Sequence, residues 1–252
     1  MNNDLFIKRI KLRDNINPKL FDDYPLNINA IRFVDEFRFT NPVTIFQGEN
    51  GCGKSTLIEA IAGFLGIPIM GGNKNLSGIL DNYNQNEEAD SLLKDYIIVE
   101  KSTRKPLRTF FFRAESFYKI ADIISHDAWI EMKSNYSTKD LLGQSHGESY
   151  MDFMNQQIIR DSLYILDEPE SALSPSNQLN LLKIIHKFSN LGAQFIIATH
   201  SPFILAYPHA KIINLDNGMN EISFKQTKIY RLYHSFLEDP ELYLSDIMDD
   251  YE

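Results

Sequence analysis

The stretch Gly48-Glu49-Asn50-Gly51-Cys52-Gly53-Lys54-Ser55 constrains this chain more than any other. It fits the pattern Gly-x-x-x-x-Gly-Lys-Ser. The apolar run Val43 to Gln47 precedes it, and Leu57, Ile58, Ile61, Ala62 and Leu65 follow at helical spacing. Strand, glycine-rich turn and amphipathic helix together make a cradle for a phosphate. The glycines let backbone N–H groups turn inward with no side chain in the way, and the helix aims its positive end at the same anion. Lys54 then supplies a point charge to the β- and γ-phosphates of a nucleotide, and Ser55 places a hydroxyl on Mg²⁺. Cys52 occupies a variable position and reads as a small filler. A second reading has the helix N-terminus lower its pKa and make the thiol reactive.

Two further strand ends carry chemistry. Leu163-Tyr164-Ile165-Leu166-Asp167-Glu168-Pro169 predicts a buried strand ending in two acids. In a sheet built around a phosphate loop, Asp167 reaches the Mg²⁺ shell. Glu168, one residue on, faces the γ-phosphate and polarises the attacking water. Phe195 to Thr199 predicts another buried strand, ending at His200. Open α/β sheets keep their ligands at the C-terminal ends of strands, so His200 joins Glu168 and Lys54 as a catalytic candidate.

Strands are predicted over Phe6–Leu12, Ala30–Phe39, Val43–Gln47, Tyr96–Glu100, Thr109–Phe112, Leu163–Leu166 and Gln194–Thr199. Helices are predicted over Lys54–Leu65 and Ser176–Ser189, with a helix-rich segment over about 116–161 and a helical tail over about 225–252. Residues 71–95 are rich in turn formers and read as an insertion. The alternation implies one α/β domain over 1–252, with a parallel central sheet and an antiparallel addition from the early strands. Lys101, Arg104, Lys105 and Arg108 read as a solvated hairpin loop. Tyr24 and Phe33 could stack on an adenine but read as core.

Composition excludes several classes. The net charge of −9 opposes adhesion to nucleic acid by bulk charge. One cysteine excludes an internal disulfide framework and a multi-cysteine zinc site. The longest apolar run is far below the roughly 20 residues of a membrane helix, and Met1-Asn2-Asn3-Asp4 opens no secretory pattern. A cytoplasmic setting without a transmembrane segment is expected.

At this point the residues resemble a known family. GENGCGKST is similar to the phosphate loop of ABC ATPases, with Asn50 and the Ser55-Thr56 pair typical of the group. LYILDEPESALS resembles their Walker B strand and D-loop, Ser171 to Ser174, and ATHSP resembles their H-switch. Ser145-His146-Gly147-Glu148-Ser149 stands where the signature LSGGQ belongs, with Gln144 for its leucine and His146 for its first glycine. The resemblance runs in order through essentially the whole chain. It points to small standalone ATPases of the SMC/RecF-like side of the class, AAA family ATPases with ABC-type motifs. There FRAESF, SHGES, ILDEPE and a tail like PELYLSD recur together.

The resemblance implies a P-loop NTPase fold with an ABC-type core and a helical signature segment. It implies ATP and Mg²⁺ as ligands, with ATP held by Gly48, Asn50, Gly51, Cys52, Gly53, Lys54, Ser55 and Thr56. Glu115 takes the place of the Q-loop glutamine and joins Ser55 and Asp167 at the metal. A head-to-tail homodimer brings Ser145, Gly147 and Glu148 of one subunit to the ATP of the other. The reading is a soluble ATPase driving a partner protein or nucleic-acid process. The alternatives are the ATP-binding subunit of a membrane transporter and a nucleotide-gated DNA-binding module with little turnover.

Overall fold

Apolar runs without alternation become strands buried on both faces, and such strands form a parallel sheet clothed by helices. The computed structural model describes residues 4–32, 34, 36–73, 92–117, 146–216 and 218–249. Its strands are β1 (Ile7–Leu12), β2 (Phe37–Arg38), β3 (Val43–Gln47), β4 (Ile97–Lys101), β5 (Thr109–Arg113), β6 (Leu163–Asp167), β7 (Gln194–Ala198), β8 (Lys211–Asn214) and β9 (Asn220–Ile222). The main sheet runs β5-β6-β7-β3-β8-β9, and a smaller sheet runs β2-β1-β4. Neighbours in the main sheet are parallel except β9, which lies antiparallel on β8. The smaller sheet is antiparallel throughout, as expected for the early strands.

The helices are α1 (Asn29–Arg32), α2 (Lys54–Phe64), α3 (His146–Gln157), α4 (Pro175–Ser189), α5 (Pro202–Leu205), α6 (Lys228–Glu238) and α7 (Glu241–Asp249). Side chains alternate across the main sheet, as the two-residue period of a strand requires. Phe110, Phe112, Tyr164, Leu166, Phe195 and Ile197 enter one core, with Leu181 and Ile185 of α4 and Tyr150, Phe153 and Met154 of α3. Phe111, Leu163, Ile165, Ile196 and Ala198 enter the other, with Leu57, Ile58 and Ile61 of α2 and Ile7, Ile10, Ile97 and Val99 of the smaller sheet.

One side chain staples the two sheets. Gln194, at the start of β7, accepts the Ile7 N–H at 2.9 Å and donates to the Ile7 carbonyl at 3.0 Å. It does for β1 what a neighbouring backbone would do, so both polar groups of a buried residue are satisfied.

The structure corrects three readings. Ala30–Phe39 is not one strand. The N–H groups of Ile31 and Arg32 both turn back to the Ile28 carbonyl at 2.9 and 3.0 Å, which winds α1 and leaves only Phe37–Arg38 to pair with β1. The basic cluster is not a hairpin loop, because β4 and β5 belong to different sheets. Arg104 pairs with Asp161, donates to the Asp4 carbonyl at 3.1 Å and covers the Phe6 ring at 4.4 Å. Arg108 donates to the Gln157 carbonyl at 2.9 Å. These two arginines hold the crossover together rather than dissolve it. Finally, β8 and β9 extend the sheet where no strand was expected. The stretch 74–91 of the expected insertion and the stretch 118–145 of the expected helical segment lie outside the described residues.

Replacing Gln194 by leucine strands the N–H and C=O of Ile7 inside the core. The unfolding free energy should fall by about 2–3 kcal/mol in urea denaturation. A loss under about 0.5 kcal/mol would show that the staple contributes nothing beyond packing.

Candidate functional site

The loop between β3 and α2 is packed to backbone thickness. Gly53 lies at φ 105°, and a Cβ there would stand 2.6 Å from Ile28 Cγ2. A Cβ at Gly48 would stand 2.6 Å from Cys52 Sγ and 2.8 Å from Asp216 Oδ1. Only glycine fits either place without displacement. The turn that replaced the expected strand at Ala30 is therefore part of the site, since it carries Ile28 against the loop. Lys54 is buried, and its ammonium donates to the Gly48 carbonyl at 2.9 Å and the Glu49 carbonyl at 3.1 Å. It fills the hollow of its own loop. Asn50 and Gly51 are exposed, and Ser55 and Thr56 are half-buried at the start of α2. Burial pushes the Cys52 thiol up, outweighing Lys54, so the reading of an activated thiol is corrected.

The loop and the acid strand meet through Ser55, whose hydroxyl donates to Asp167 Oδ1 at 3.1 Å. Burial, above all, pushes the Asp167 carboxyl up to about 6, against the pull of Arg113 and the Ser55 hydroxyl. A hydroxyl and a buried carboxylate converging beside a phosphate loop are hard oxygen donors, the type that suits Mg²⁺. Arg113 Nε lies 3.8 Å from Asp167 Oδ2, and its other nitrogens reach Glu59 Oε1 at 2.6 Å and Glu115 Oε2 at 3.3 Å. Glu115 is 82% exposed, and its link to Asp167 runs through that guanidinium. Burial raises Glu59 despite the arginine.

Glu168 breaks from the strand. Its backbone is left-handed, at φ 43° and ψ 52°, a conformation that costs a non-glycine residue on the order of 1 kcal/mol. Its N–H still donates to the Ala198 carbonyl at 2.9 Å. The turn brings Glu168 Oε1 to 3.8 Å from His200 Nε2, a buried nitrogen without a hydrogen-bond partner among the described residues. His200 itself is fixed. Its N–H donates to Glu170 Oε1 at 2.6 Å, and Ser201 behind it accepts from the N–H groups of Phe203 and Ile204, both at 3.1 Å. Burial raises the Glu170 carboxyl.

Gly48, Lys54, Ser55, Asp167, Glu168 and His200 thus share one edge of the main sheet, as expected. Gly147 and Glu148 open α3, with Glu148 exposed, and α3 packs on α4 and the turn Pro169–Ala172. Ser145 lies outside the described residues. Tyr24 is 61% exposed, which corrects its reading as core, and Phe33 lies outside the described residues. Sequence reasoning missed Glu170, Arg113 and Asp216. Glu170 is the third acid of its run, and Asp216 follows a strand that went unrecognised. Arg113 gave no signal.

A parallel sheet that inserts the histidine strand between the loop strand and the acid strand has the plan of an ABC-type P-loop ATPase, an enzyme that hydrolyses ATP. The chain belongs to the AAA domain family, whose sequence profile matches residues 26–230. It is similar to the hemin import ATP-binding protein HmuV of Aliivibrio fischeri, at 27% identity over 70% of this chain and 71% of that protein. It is also similar to ABC transporter G family member 6 of Arabidopsis thaliana, at 25% identity over 75% of this chain. The match spans only 28% of that plant protein. A crystal structure of a nucleotide-free ATP-binding cassette from an ABC transporter shares the fold. Its TM-score is 0.50 at 14% identity, with 95% of this chain and 99% of that one covered. Among the described residues no helix is long and apolar enough to cross a membrane.

Alanine at Gly53 must take a strained backbone and drive its methyl into Ile28. Affinity for a fluorescent ATP analogue should fall at least about tenfold, with a stability cost of about 1–3 kcal/mol in thermal melts. Unchanged affinity would show that the loop is looser than its packing.

Proposed function

We propose that the chain turns over ATP·Mg²⁺ at this edge in a head-to-tail homodimer, whose closing and opening work a partner protein or a nucleic acid. The observation that carries the chemistry is the meeting of Glu168, His200 and the Ser55–Asp167 pair on one sheet edge. Lys54 leaves the Gly48 and Glu49 carbonyls for the β- and γ-phosphates. Ser55 and Asp167 hold Mg²⁺, and Glu115 borders that place through Arg113. When bound, the metal offsets charge on the phosphoryl oxygens. Glu168 accepts the proton of the attacking water. His200 Nε2, without a hydrogen-bond partner among the described residues and 3.8 Å from Glu168 Oε1, donates to the γ-phosphate beside that carboxylate.

Two features support the dimer. The rim of the loop, Asn50 and Gly51, is exposed and can meet a second subunit. Gly147 and Glu148 open α3, and a helix N-terminus favours an anion, so on this reading the same end, with Ser145 before it in sequence, faces the γ-phosphate of the second subunit. This reading sets the protein to work in the cytoplasm. A second reading, the ATP-binding subunit of a membrane transporter, is favoured by relatives such as the hemin import protein. Stoichiometric co-purification with an integral membrane subunit would select it.

Glu168→Gln keeps the shape of the site and removes the base. Steady-state hydrolysis should fall by about 100-fold or more while ATP binding persists. At saturating ATP·Mg²⁺ the variant should run as a dimer in size-exclusion chromatography with light scattering. A variant that binds ATP and stays monomeric would refute the dimer and leave the hydrolytic assignment standing.

A further inference from the structure

The Gly48–Glu49 peptide is gripped from both sides. Its carbonyl accepts from Lys54 Nζ at 2.9 Å, and its N–H donates to Asp216 Oδ1 at 2.7 Å. Asp216 reaches it because β8 runs parallel to β3, with Asn214 level with Gln47. The Leu215 N–H then donates to the Gln47 carbonyl at 2.9 Å, and the Asp216 N–H to Asn214 Oδ1 at 3.0 Å. The Asp216 carboxylate is only 10% exposed. A nearly buried negative charge therefore stands against the rim of a loop that must receive a triphosphate, and Glu49 adds another. Left alone, both repel the ligand.

Lys228, the first residue of α6, answers them. Its ammonium lies 3.2 Å from Glu49 Oε1 and 3.7 Å from Asp216 Oδ2, and these acids hold it above the usual lysine range. The helix end that carries it is pinned. Thr227 is fully buried, donates to the Phe224 carbonyl at 2.7 Å and caps α6 by accepting the Tyr230 N–H at 3.1 Å. No residue within α6 is buried. The helix thus touches the loop by its first turn and leaves the rest at the surface.

We infer that Asp216 is a positioning residue that fixes the Gly48–Glu49 peptide of the phosphate loop, and that Lys228 is its counter-charge. The start of α6 thereby sets the affinity of the loop for the triphosphate. The inference rests on ATP binding at this loop. Lys228 and Glu49 are each 65% exposed, so their pair adds little to stability. What it changes is the field at the loop.

Lys228→Ala should raise KM for ATP, and Kd for a fluorescent ATP analogue, about 3- to 10-fold at low salt. The value of kcat should stay within about twofold and the melting temperature should not move. The gap should narrow at about 0.5 M salt, where screening is short-ranged. Lys228→Arg should keep wild-type affinity, and so should Lys225→Ala, which removes an exposed charge one turn away. Asp216→Asn added to Lys228→Ala should restore affinity, because the amide oxygen still accepts the Glu49 N–H without the charge. Equal affinity of wild type and Lys228→Ala, or no rescue by Asp216→Asn, would overturn the inference. Failure of the wild type to bind the analogue would instead refute the ATP site itself.

Discussion

Ala198 is the point on which the site converges. It pairs with Phe46 on one side and Asp167 on the other, and its carbonyl accepts the Glu168 N–H at 2.9 Å. A single ladder position therefore sets the height of the phosphate loop, Asp167 and Glu168 against one another. Parallel strands fix such heights firmly, since a slip of one residue would turn every side chain to the opposite core. His200, two residues past Ala198, emerges between the loop and the acids because its strand lies between theirs.

The charged groups at that edge are unevenly matched to one another. Lys54 is satisfied by carbonyls of its own loop, and Asp167 is pushed up by burial although Arg113 and Ser55 stand beside it. Arg113 is shared among Asp167, Glu59 and Glu115. The His200 nitrogen that faces Glu168 stops short of a hydrogen bond. On the proposed reading, a triphosphate with its cation would bring anionic oxygens to Lys54 and His200 and positive charge to Asp167. Binding energy can then be realised where the reaction needs it. The far side of the loop carries its own balance, Asp216 against Lys228, which ties the start of α6 to the loop across a long stretch of chain.

The phosphate loop, the acid strand and the histidine strand were legible because each is a short apolar run ending in an unusual polar residue. That pattern survives without tertiary information. Asp216 follows the same rule, but β8 is short and begins with Lys211, so its period was lost. Ala30–Phe39 misled for the opposite reason. Its apolar residues fit a strand, yet Ile28 captures the next N–H groups into a helical turn that must fill the space beside Gly53. The basic cluster misled because a charge run carries no record of its partners. Asp161 and Gln157 lie far along the chain and close in space.

The candidate groups are readable along the chain alone: a glycine loop with lysine and serine, two acids after an apolar strand, and a histidine after another. Those residue types and spacings have few other uses. Their order across the sheet, the left-handed turn that brings Glu168 toward His200, and the contacts of Asp216 and Lys228 with the loop arise only once the chain is packed. Strand order, backbone hand and long-range charge pairs depend on which segments lie side by side. Local spacing does not encode that, and the packing of two cores against one sheet does.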